Sequence, residues 1–332
     1  MKKIFICIAL ILLSQLKILA QVDPHFSQFY AYPLWLNPGL TGVMDGDYRV
    51  TGLYRNQWRN VTAPFSTMGF SAEVATNKNL NLGANIISQS AGDGGYKYLN
   101  VYATIAYSGI RFGTDLNQQV TIGIQAGMLS RRFDPSKFQF GDQWNPVTGY
   151  NPAVASADLI AGNSSSVLDV GSGISYMDNT PGKQVNFFGG FAAFHLTQPE
   201  DPFINGSIKR YLPVRYAIHA GANITLSETT SITPNALYLQ QGNATEKMIG
   251  IYSTFKANDM TNLMLGVNYR FEDAVSPFAG IGFKDFVLGL SYDVNDSPLG
   301  KAVAGTNSLE VSLSWTGRKA GKPLRYLSCP RL

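Results

Sequence analysis

Hydrophobic and polar residues alternate with a period of two over most of the chain after residue 47. In the last such segment, Leu309, Val311, Leu313 and Trp315 alternate with serines and one glutamate. Successive side chains of a β-strand point to opposite faces, so each segment has one apolar face and one polar or small face. The pattern predicts about 14 strands, at roughly 48–59, 65–76, 80–90, 96–108, 119–130, 167–178, 184–195, 213–226, 229–240, 246–256, 260–271, 275–283, 285–294 and 306–316.

The predicted strands are longer than the strands of most soluble sheets, which usually have about 5–6 residues. A strand tilted in a bilayer needs about 9–11 residues to cross it, and these segments reach that length. Length combined with alternation is typical of a transmembrane barrel, and an even strand count fits a bacterial one. The alternative is a soluble sandwich, which the strand length and the abundance of aromatic residues disfavour.

The connector lengths give an independent indication of the same architecture. Outer-membrane barrels place short turns in the periplasm and long loops outside. If the N-terminal side of the first strand is periplasmic, the connectors after odd-numbered strands are external. The three longest connectors, 131–166, 196–212 and 295–305, all follow odd-numbered strands, whereas those after even-numbered strands are short apart from 109–118. The sequence therefore predicts an all-β, antiparallel barrel in the outer membrane.

Composition supports a sheet whose outer face does not meet water. Charged residues make up 14% of the chain and aromatic residues 12%, whereas soluble domains carry about 25% charged residues. The formal net charge of +4 comes largely from three lysines in the first 20 residues. It therefore gives no reason to expect nucleic acid as a partner.

Residues 1–20 have the layout of a cleavable signal peptide. Lys2 and Lys3 precede an apolar run, and the small Ala20 stands before Gln21. The apolar run is too short for a transmembrane helix, which disfavours an N-terminal anchor. Cleavage removes Cys7 and leaves one cysteine, Cys329, so that neither an intramolecular disulfide nor a cysteine-based metal site is expected.

The predicted organisation has three parts after the signal peptide: an N-terminal segment (21–47), the barrel (48–316) and a basic periplasmic tail (317–332). The N-terminal segment is aromatic and turn-rich, so we expect it to stay in the periplasm or to plug the lumen. We expect the tail either to contact periplasmic machinery or peptidoglycan or to be a solvated tail. The residues expected to form the plug are His25, Phe26, Phe29, Tyr30 and Trp35.

Four charged or titratable residues fall on the inward faces of predicted strands, namely Arg215, His219, Arg270 and Glu310. Such groups either pair with one another and with the plug or line a water path. His219 is a candidate catalytic base only in principle, because the chain has no G-x-S-x-G motif or comparable signature. No histidines stand at a metal-ligand spacing, and no phosphate-binding or dinucleotide fingerprint is present. We therefore predict no catalytic, cofactor or metal site.

The connector 131–166 is rich in aromatic residues and prolines. Aromatic external loops are common protein-docking surfaces. The alternative is a loop that folds inward and constricts the pore. The candidate partner-binding residues are Arg131, Arg132, Phe133, Phe138, Phe140, Trp144 and Tyr150.

Several short motifs carry a resemblance to a known family. The stretches are 23–30 (DPHFSQFY), 37–42 (NPGLTG), 54–58 (YRNQW), 140–143 (FGDQ), 194–199 (FHLTQP), 291–294 (SYDV) and the ending at 329–331 (CPR). In these motifs the chain resembles the PorP/SprF family, outer-membrane proteins of the type IX secretion and gliding system of Bacteroidetes. The resemblance covers essentially the whole mature chain.

The resemblance implies a barrel of the fatty-acid-transporter type whose N-terminus plugs the lumen. It also implies a non-enzymatic role in exporting or anchoring a large secreted surface protein, such as an adhesin with a type B C-terminal sorting domain. The implied partners are this cargo, other type IX secretion components and outer-membrane lipid. A transporter or pore for hydrophobic or small solutes is the alternative function, and a hydrolase within the barrel is a third.

Overall fold

Fourteen antiparallel strands form a closed barrel in the computed structural model, which describes residues 23–59, 63–76, 78–156, 162–200, 211–303 and 306–318. The predicted signal peptide, both cysteines and the basic tail after Arg318 lie outside the described residues. The strands are β1 (Tyr48–Gln57), β2 (Phe65–Ala75), β3 (Leu80–Ala91), β4 (Tyr96–Phe112), β5 (Gln118–Arg132), β6 (Ser164–Asp178), β7 (Val185–Phe194), β8 (Arg215–Thr225), β9 (Thr230–Gln241), β10 (Ala244–Asn258), β11 (Thr261–Arg270), β12 (Ala274–Phe283), β13 (Phe286–Asn295) and β14 (Ser308–Gly317).

Each strand pairs with the next one along the chain, and β1 pairs with β14 to close the barrel. The closing register runs from Tyr48 opposite Gly317 to Gln57 opposite Ser308. The predicted 14-strand antiparallel barrel is thereby confirmed. The connector predicted at 109–118, which was long for a periplasmic turn, is shorter in the structure. The reason is that β4 continues to Phe112, after which a 3-10 turn at Thr114–Leu116 leads into β5.

The two ends of the barrel differ in their connectors. The long connectors 133–163, 195–214 and 296–307 all leave the same end, which we call the long-loop end; the connectors at the other, short-turn end have at most six residues. Long loops are extracellular and short turns periplasmic in barrels of this kind. The connector 133–163 contains 3-10 turns at Pro135–Lys137 and Gly141–Gln143 and a hairpin of Trp144–Asn145 with Gly149–Tyr150, and a short helix, Pro298–Ala302, lies in the last long connector.

The barrel is apolar outside and polar inside, the reverse of a soluble protein. In β13, Leu288, Leu290 and Tyr292 are exposed, whereas the alternating Ser291 and Asp293 are buried. Exposed aromatic pairs occur at both ends, such as Tyr269 with Phe271 at the long-loop end. At the short-turn end Trp315 packs between Tyr48 and Phe286. This outward apolar band with aromatic girdles is the surface that a transmembrane barrel presents to lipid, and it excludes the soluble sandwich.

Residues 23–47 lie within the barrel. Asp23 contacts His195 at the long-loop end, and Asp47 joins β1 at the short-turn end, so the segment runs through the whole lumen. It contains 3-10 turns at Phe29–Ala31 and Pro38–Leu40 and one short α-helix at Pro33–Leu36. No helix among the described residues is long and apolar enough to span a membrane.

Aromatic residues of the N-terminal segment pack with inward-facing side chains of the strands and form the largest hydrophobic core among the described residues. Four of the five predicted plug residues, Phe26, Phe29, Tyr30 and Trp35, are buried in it. The fifth, His25, is only partly buried. These side chains replace the water that would otherwise meet Tyr98, Tyr102, Tyr252 and Phe278 of the wall.

Inward-facing glycines let the segment approach the wall. A Cβ atom on Gly123 would stand 2.2 Å from the carbonyl oxygen of Pro38, and one on Gly173 would stand 2.0 Å from Oδ1 of Asn37. Because Pro38 presents backbone at this point, the contact has no flexible side chain that can yield.

We therefore predict that Gly123→Ala loosens the N-terminal segment, at a cost of about 1–3 kcal/mol from overpacking. Chymotrypsin should then cleave the purified protein faster at the aromatic residues between 26 and 35. Gly52→Ala in β1 is the matched control, because its Cβ would have nothing within 4 Å. Equal cleavage rates for the two variants would show that the close contact is unimportant.

Candidate functional site

The interior holds the N-terminal segment through polar contacts at several levels. A central cluster surrounds Ser27 and Gln28, a cluster at the long-loop end surrounds Asp23, and further contacts hold Asn37 and Gly42. The wall residues in these contacts come from strands on all sides of the barrel. The contacts therefore fix the segment to the barrel as a whole and not to one strand.

The central cluster is an array of charges around Ser27. Glu310 accepts the backbone N–H groups of Ser27 and Gln28 on its two carboxylate oxygens, at 3.0 and 2.7 Å. The Ser27 hydroxyl donates to Asp293 at 2.7 Å and accepts from Arg55, also at 2.7 Å. Every group in this set is buried, so each charge depends on the others for compensation.

The same cluster bridges the seam of the barrel. Arg55 of β1 and Glu310 of β14 stand directly opposite each other in the closing strand pair, and their side chains form an ion pair at 2.9 Å. Arg55 also binds Asp293 of β13 at 2.8 Å, and Arg270 of β11 binds the same carboxylate at 2.8 Å. Two arginines and two carboxylates thus balance within the cluster.

The cluster at the long-loop end holds the beginning of the segment. His195, which directly follows β7, contacts Asp23 through Nε2 at 2.7 Å and Asp169 through Nδ1 at 2.6 Å. Burial lowers the pKa of His195, but the two carboxylates outweigh burial and raise this pKa to about 9. The imidazole is therefore protonated at neutral pH and donates a hydrogen bond to each carboxylate.

Asp23 is also bound by Arg215, at 3.3 Å, and by the Tyr98 hydroxyl, at 3.2 Å. Burial raises the pKa of Asp23, but His195 and Arg215 hold it well below its usual range. The Arg215 guanidinium lies 4.1 Å from the ring centroids of both Trp35 and Phe194. It therefore joins the segment to the wall by charge and by cation–π contact.

The middle and end of the segment are held by single side chains. Asn37 donates to the carbonyl of Ile174 at 3.0 Å, and its amide nitrogen lies 3.2 Å from Nε2 of His219. Near the short-turn end the N–H of Gly42 donates to Glu73 at 2.6 Å, and Arg49 forms an ion pair with Glu73. His219 thus has a hydrogen-bonding contact to the segment.

The four inward residues predicted from the sequence do not form one network. Arg270 and Glu310 belong to the central cluster, Arg215 to the long-loop cluster, and His219 to the contact with Asn37. Sequence reasoning missed Arg55, Asp293, Asp23, His195 and Asp169. Arg55 and Asp293 occupy inward positions in the same period-two count, so alternation alone could have found them.

The connector after β5 forms an aromatic surface at the long-loop end. Rings of Tyr96, Phe133, Phe138 and Phe140 follow one another at centroid distances of 5.1, 6.0 and 6.0 Å. Trp144, 54% exposed, packs against the neighbouring Tyr150 in the hairpin at 5.8 Å. Val147 at the hairpin tip is 91% exposed.

Two of the predicted partner-binding residues belong to the barrel instead of the loop. Arg131 and Arg132 lie in β5, because β4 and β6 extend equally far and continue the ladder to Lys97 and Ser164. Arg131 is buried and faces inward, so the expectation that it lies in an external docking loop is wrong. Arg132 is exposed at the strand end.

A cavity of about 550 Å³ opens at the long-loop end above the N-terminal segment, and we call it the vestibule. Pro24 and His25 form part of its floor. Its wall includes Gln241, Glu246 and Arg270 from strands on one side of the barrel. No described residue of the aromatic connector lines it.

These features define a class: a membrane-embedded β-barrel with an apolar outer band and a charged interior occupied by its own N-terminal residues. The family comparison is more specific. The family described as "Type IX secretion system membrane protein PorP/SprF" matches residues 18–315, and the chain belongs to this family. It is accordingly a protein of the outer membrane. No curated protein matches the chain.

Solved structures similar to the chain include transporter barrels. A deltaS2S3 mutant of TodX, the toluene transporter of P. putida, matches with a TM-score of 0.52 at 11% identity over 86% of this chain and 94% of that chain. The Ralstonia pickettii toluene transporter TbuX matches with a TM-score of 0.48 at 11% identity, over 86% and 92%. A Pseudomonas aeruginosa FadL homologue matches with a TM-score of 0.46 at 9% identity, over 84% and 92%. At these identities the likeness shows the fold alone.

Removing the positive charge of Arg55 from the central cluster should destabilise the folded protein. We predict that Arg55→Met lowers the free energy of unfolding by about 3–5 kcal/mol, because Asp293 and Glu310 lose a buried partner. Denaturant unfolding of the detergent-solubilised protein, followed by circular dichroism, measures this loss. Arg318→Met is the control: Arg318 binds Asp45 with its side chain 37% exposed, and the change should cost less than about 1 kcal/mol. Similar losses for both variants would contradict a special role of the buried cluster.

The cluster at the long-loop end, around Asp23, should make the thermal stability of the protein depend on pH. A histidine has a pKa near 6.5 in an unfolded chain and His195 one of about 9 in the folded protein. Its contribution is therefore complete below about pH 6.5 and is lost as the pH rises through 9. We expect the thermal unfolding midpoint to fall between pH 6.5 and 9.5, and to fall less in His195→Gln. An equal fall in both proteins would show that other groups cause it.

Proposed function

We propose that this protein is a non-enzymatic component of the type IX secretion and gliding system that exports or anchors a large secreted protein at the cell surface. The cargo in this proposal is an adhesin-like protein with a type B C-terminal sorting domain. Family membership supports the association with type IX secretion components. The external loops of the barrel would hold the cargo.

The aromatic surface is the observation that carries this proposal. A tryptophan that is 54% exposed and a valine that is 91% exposed stand together on a loop at the extracellular end. Exposed aromatic side chains at such a site are typical anchors of protein interfaces. The loop is folded by its own hydrogen bonds, since Gln143 donates to the carbonyl of Val154 at 2.7 Å and Ser156 donates to Asp142 at 2.8 Å. A preformed loop loses little conformational entropy when it binds.

The interior of the barrel favours a role in holding a secreted protein over a role in conducting solutes. We infer that the N-terminal segment plugs the lumen, since it is buried along its length and bound by charges on several strands. A plug held in this way leaves the barrel as a scaffold for its external loops. The buried histidines and carboxylates then have structural roles, in line with a protein that catalyses no reaction.

Affinity purification from solubilised outer membranes tests the proposal. We expect a tagged wild-type protein to retain one large secreted protein, identified by mass spectrometry through its C-terminal domain. The double variant Trp144→Ala, Tyr150→Ala should retain at least tenfold less, because aromatic anchors contribute most of the binding energy of such interfaces. Trp315→Ala at the short-turn end is the matched control and should behave like the wild type. Retention unchanged by the loop substitutions would remove the aromatic surface from the proposal.

A transporter or pore for hydrophobic or small solutes is the second candidate. The likeness to TodX, described as a monoaromatic hydrocarbon channel, favours it at the level of the fold. Planar-bilayer conductance separates the two functions. If no protein is retained in the purification and the barrel conducts ions or carries bound hydrophobic molecules, transport replaces anchoring.

A further inference from the structure

The vestibule carries an excess of negative charge. Five carboxylates but only two guanidinium groups line it, namely Asp23, Glu246, Glu272, Asp273 and Asp293 against Arg215 and Arg270. Asp23 is bound to Arg215 and Asp293 to Arg55 and Arg270 in the clusters below, and Arg270 also forms an ion pair with Asp273. The excess therefore lies on the side formed by β10 and the β11–β12 turn, where Glu246, Glu272 and Asp273 are located.

A hydrogen-bond donor accompanies these acids. Gln241, the last residue of β9, is buried and lines the vestibule. Its side-chain oxygen accepts the N–H of Asp23 at 3.2 Å, but its Nε2 atom has no partner among the described residues. A buried amide donor without a partner costs free energy until an acceptor reaches it. A peptide carbonyl is such an acceptor.

We propose that the vestibule binds a short basic stretch of polypeptide, with lysine or arginine at its centre, from the protein that the outer loops hold. This proposal rests on the proposed function and assigns a second contact to the same partner. The volume of about 550 Å³ lies within the range of pockets that hold molecules of this size. The cationic side chain lies among Glu246, Glu272 and Asp273, and a backbone carbonyl accepts from Gln241.

The charge argues against the ligands that a transporter of fatty acids or other anions would take. A mouth with surplus carboxylates repels an anionic headgroup and concentrates cations. It also faces outward, at the end where a secreted partner meets the barrel. Electrostatic attraction at such a mouth increases the rate of association and selects partners by charge.

Fluorescence polarisation with labelled peptides tests the inference on the full-length protein in detergent. The probes are tetralysine and, as a charge-reversed control, tetraglutamate. We expect tetralysine to bind and tetraglutamate not to bind. Binding should weaken as salt is raised, because partly exposed charges are screened. The double variant Glu246→Gln, Glu272→Gln should weaken tetralysine binding about tenfold.

Glu228→Gln is the matched control, because Glu228 lies in the β8–β9 turn at the short-turn end. It should bind tetralysine like the wild type. Equal weakening by Glu228→Gln, tighter binding of tetraglutamate, or no binding of tetralysine by the folded wild type would each overturn the inference.

The two proposals fail in different ways. If the wild type retains a secreted protein and the vestibule variant retains it equally well, the vestibule plays no part and the anchoring function stands. If tetralysine binds at the vestibule but no secreted protein is retained by any form of the barrel, the proposed function fails.

Discussion

The ion pair between Arg55 and Glu310 is the contact on which the rest of the interior depends. It joins the first strand to the last, and both of its members also bind Ser27. Closing the barrel and seating the N-terminal segment are therefore one event in energetic terms. If the segment were absent, Glu310 would lose two backbone donors and would keep Arg55 as its donor. Hydrogen bonds to a charged group are stronger than those between neutral groups, so the closed barrel and the seated segment stabilise each other.

The interior also explains why a membrane protein carries a hydrophobic core at all. Lipid covers the outward face, so ordinary strand residues such as Leu288 and Leu290 need no protein partner there. The lumen is different, because its wall presents both tyrosines and charges. The segment meets both requirements, as Phe26 and Tyr30 pack in the core while Ser27 and Gln28 face the ions. Neighbouring side chains of one short segment thus point either into the hydrophobic core or toward the charged groups of the wall.

The architecture was predictable from sequence, because alternation and loop length report directly on which face of a strand meets lipid. Strand number, order and the two ends of the barrel followed from that pattern. Inward residues such as Arg270 and Glu310 were found in the same way. Their shared partner in the N-terminal segment was not, since Ser27 is more than 240 residues away from both and nothing local to it specifies a contact. Arg131 was misplaced because the pattern does not say how far a strand continues above the membrane. Its neighbours β4 and β6 decide that.

The path of the N-terminal segment has a consequence for how the protein is made. The segment enters β1 at the short-turn end, yet its first described residue is bound at the opposite end of the lumen. A barrel that had already closed would have to admit some 25 residues lengthwise, past glycine contacts that leave no space to spare. The geometry therefore favours an order of folding in which residues 23–47 already lie inside an open sheet when β14 pairs with β1. The segment that precedes β1 and the strand that closes the barrel therefore complete the structure in the same step.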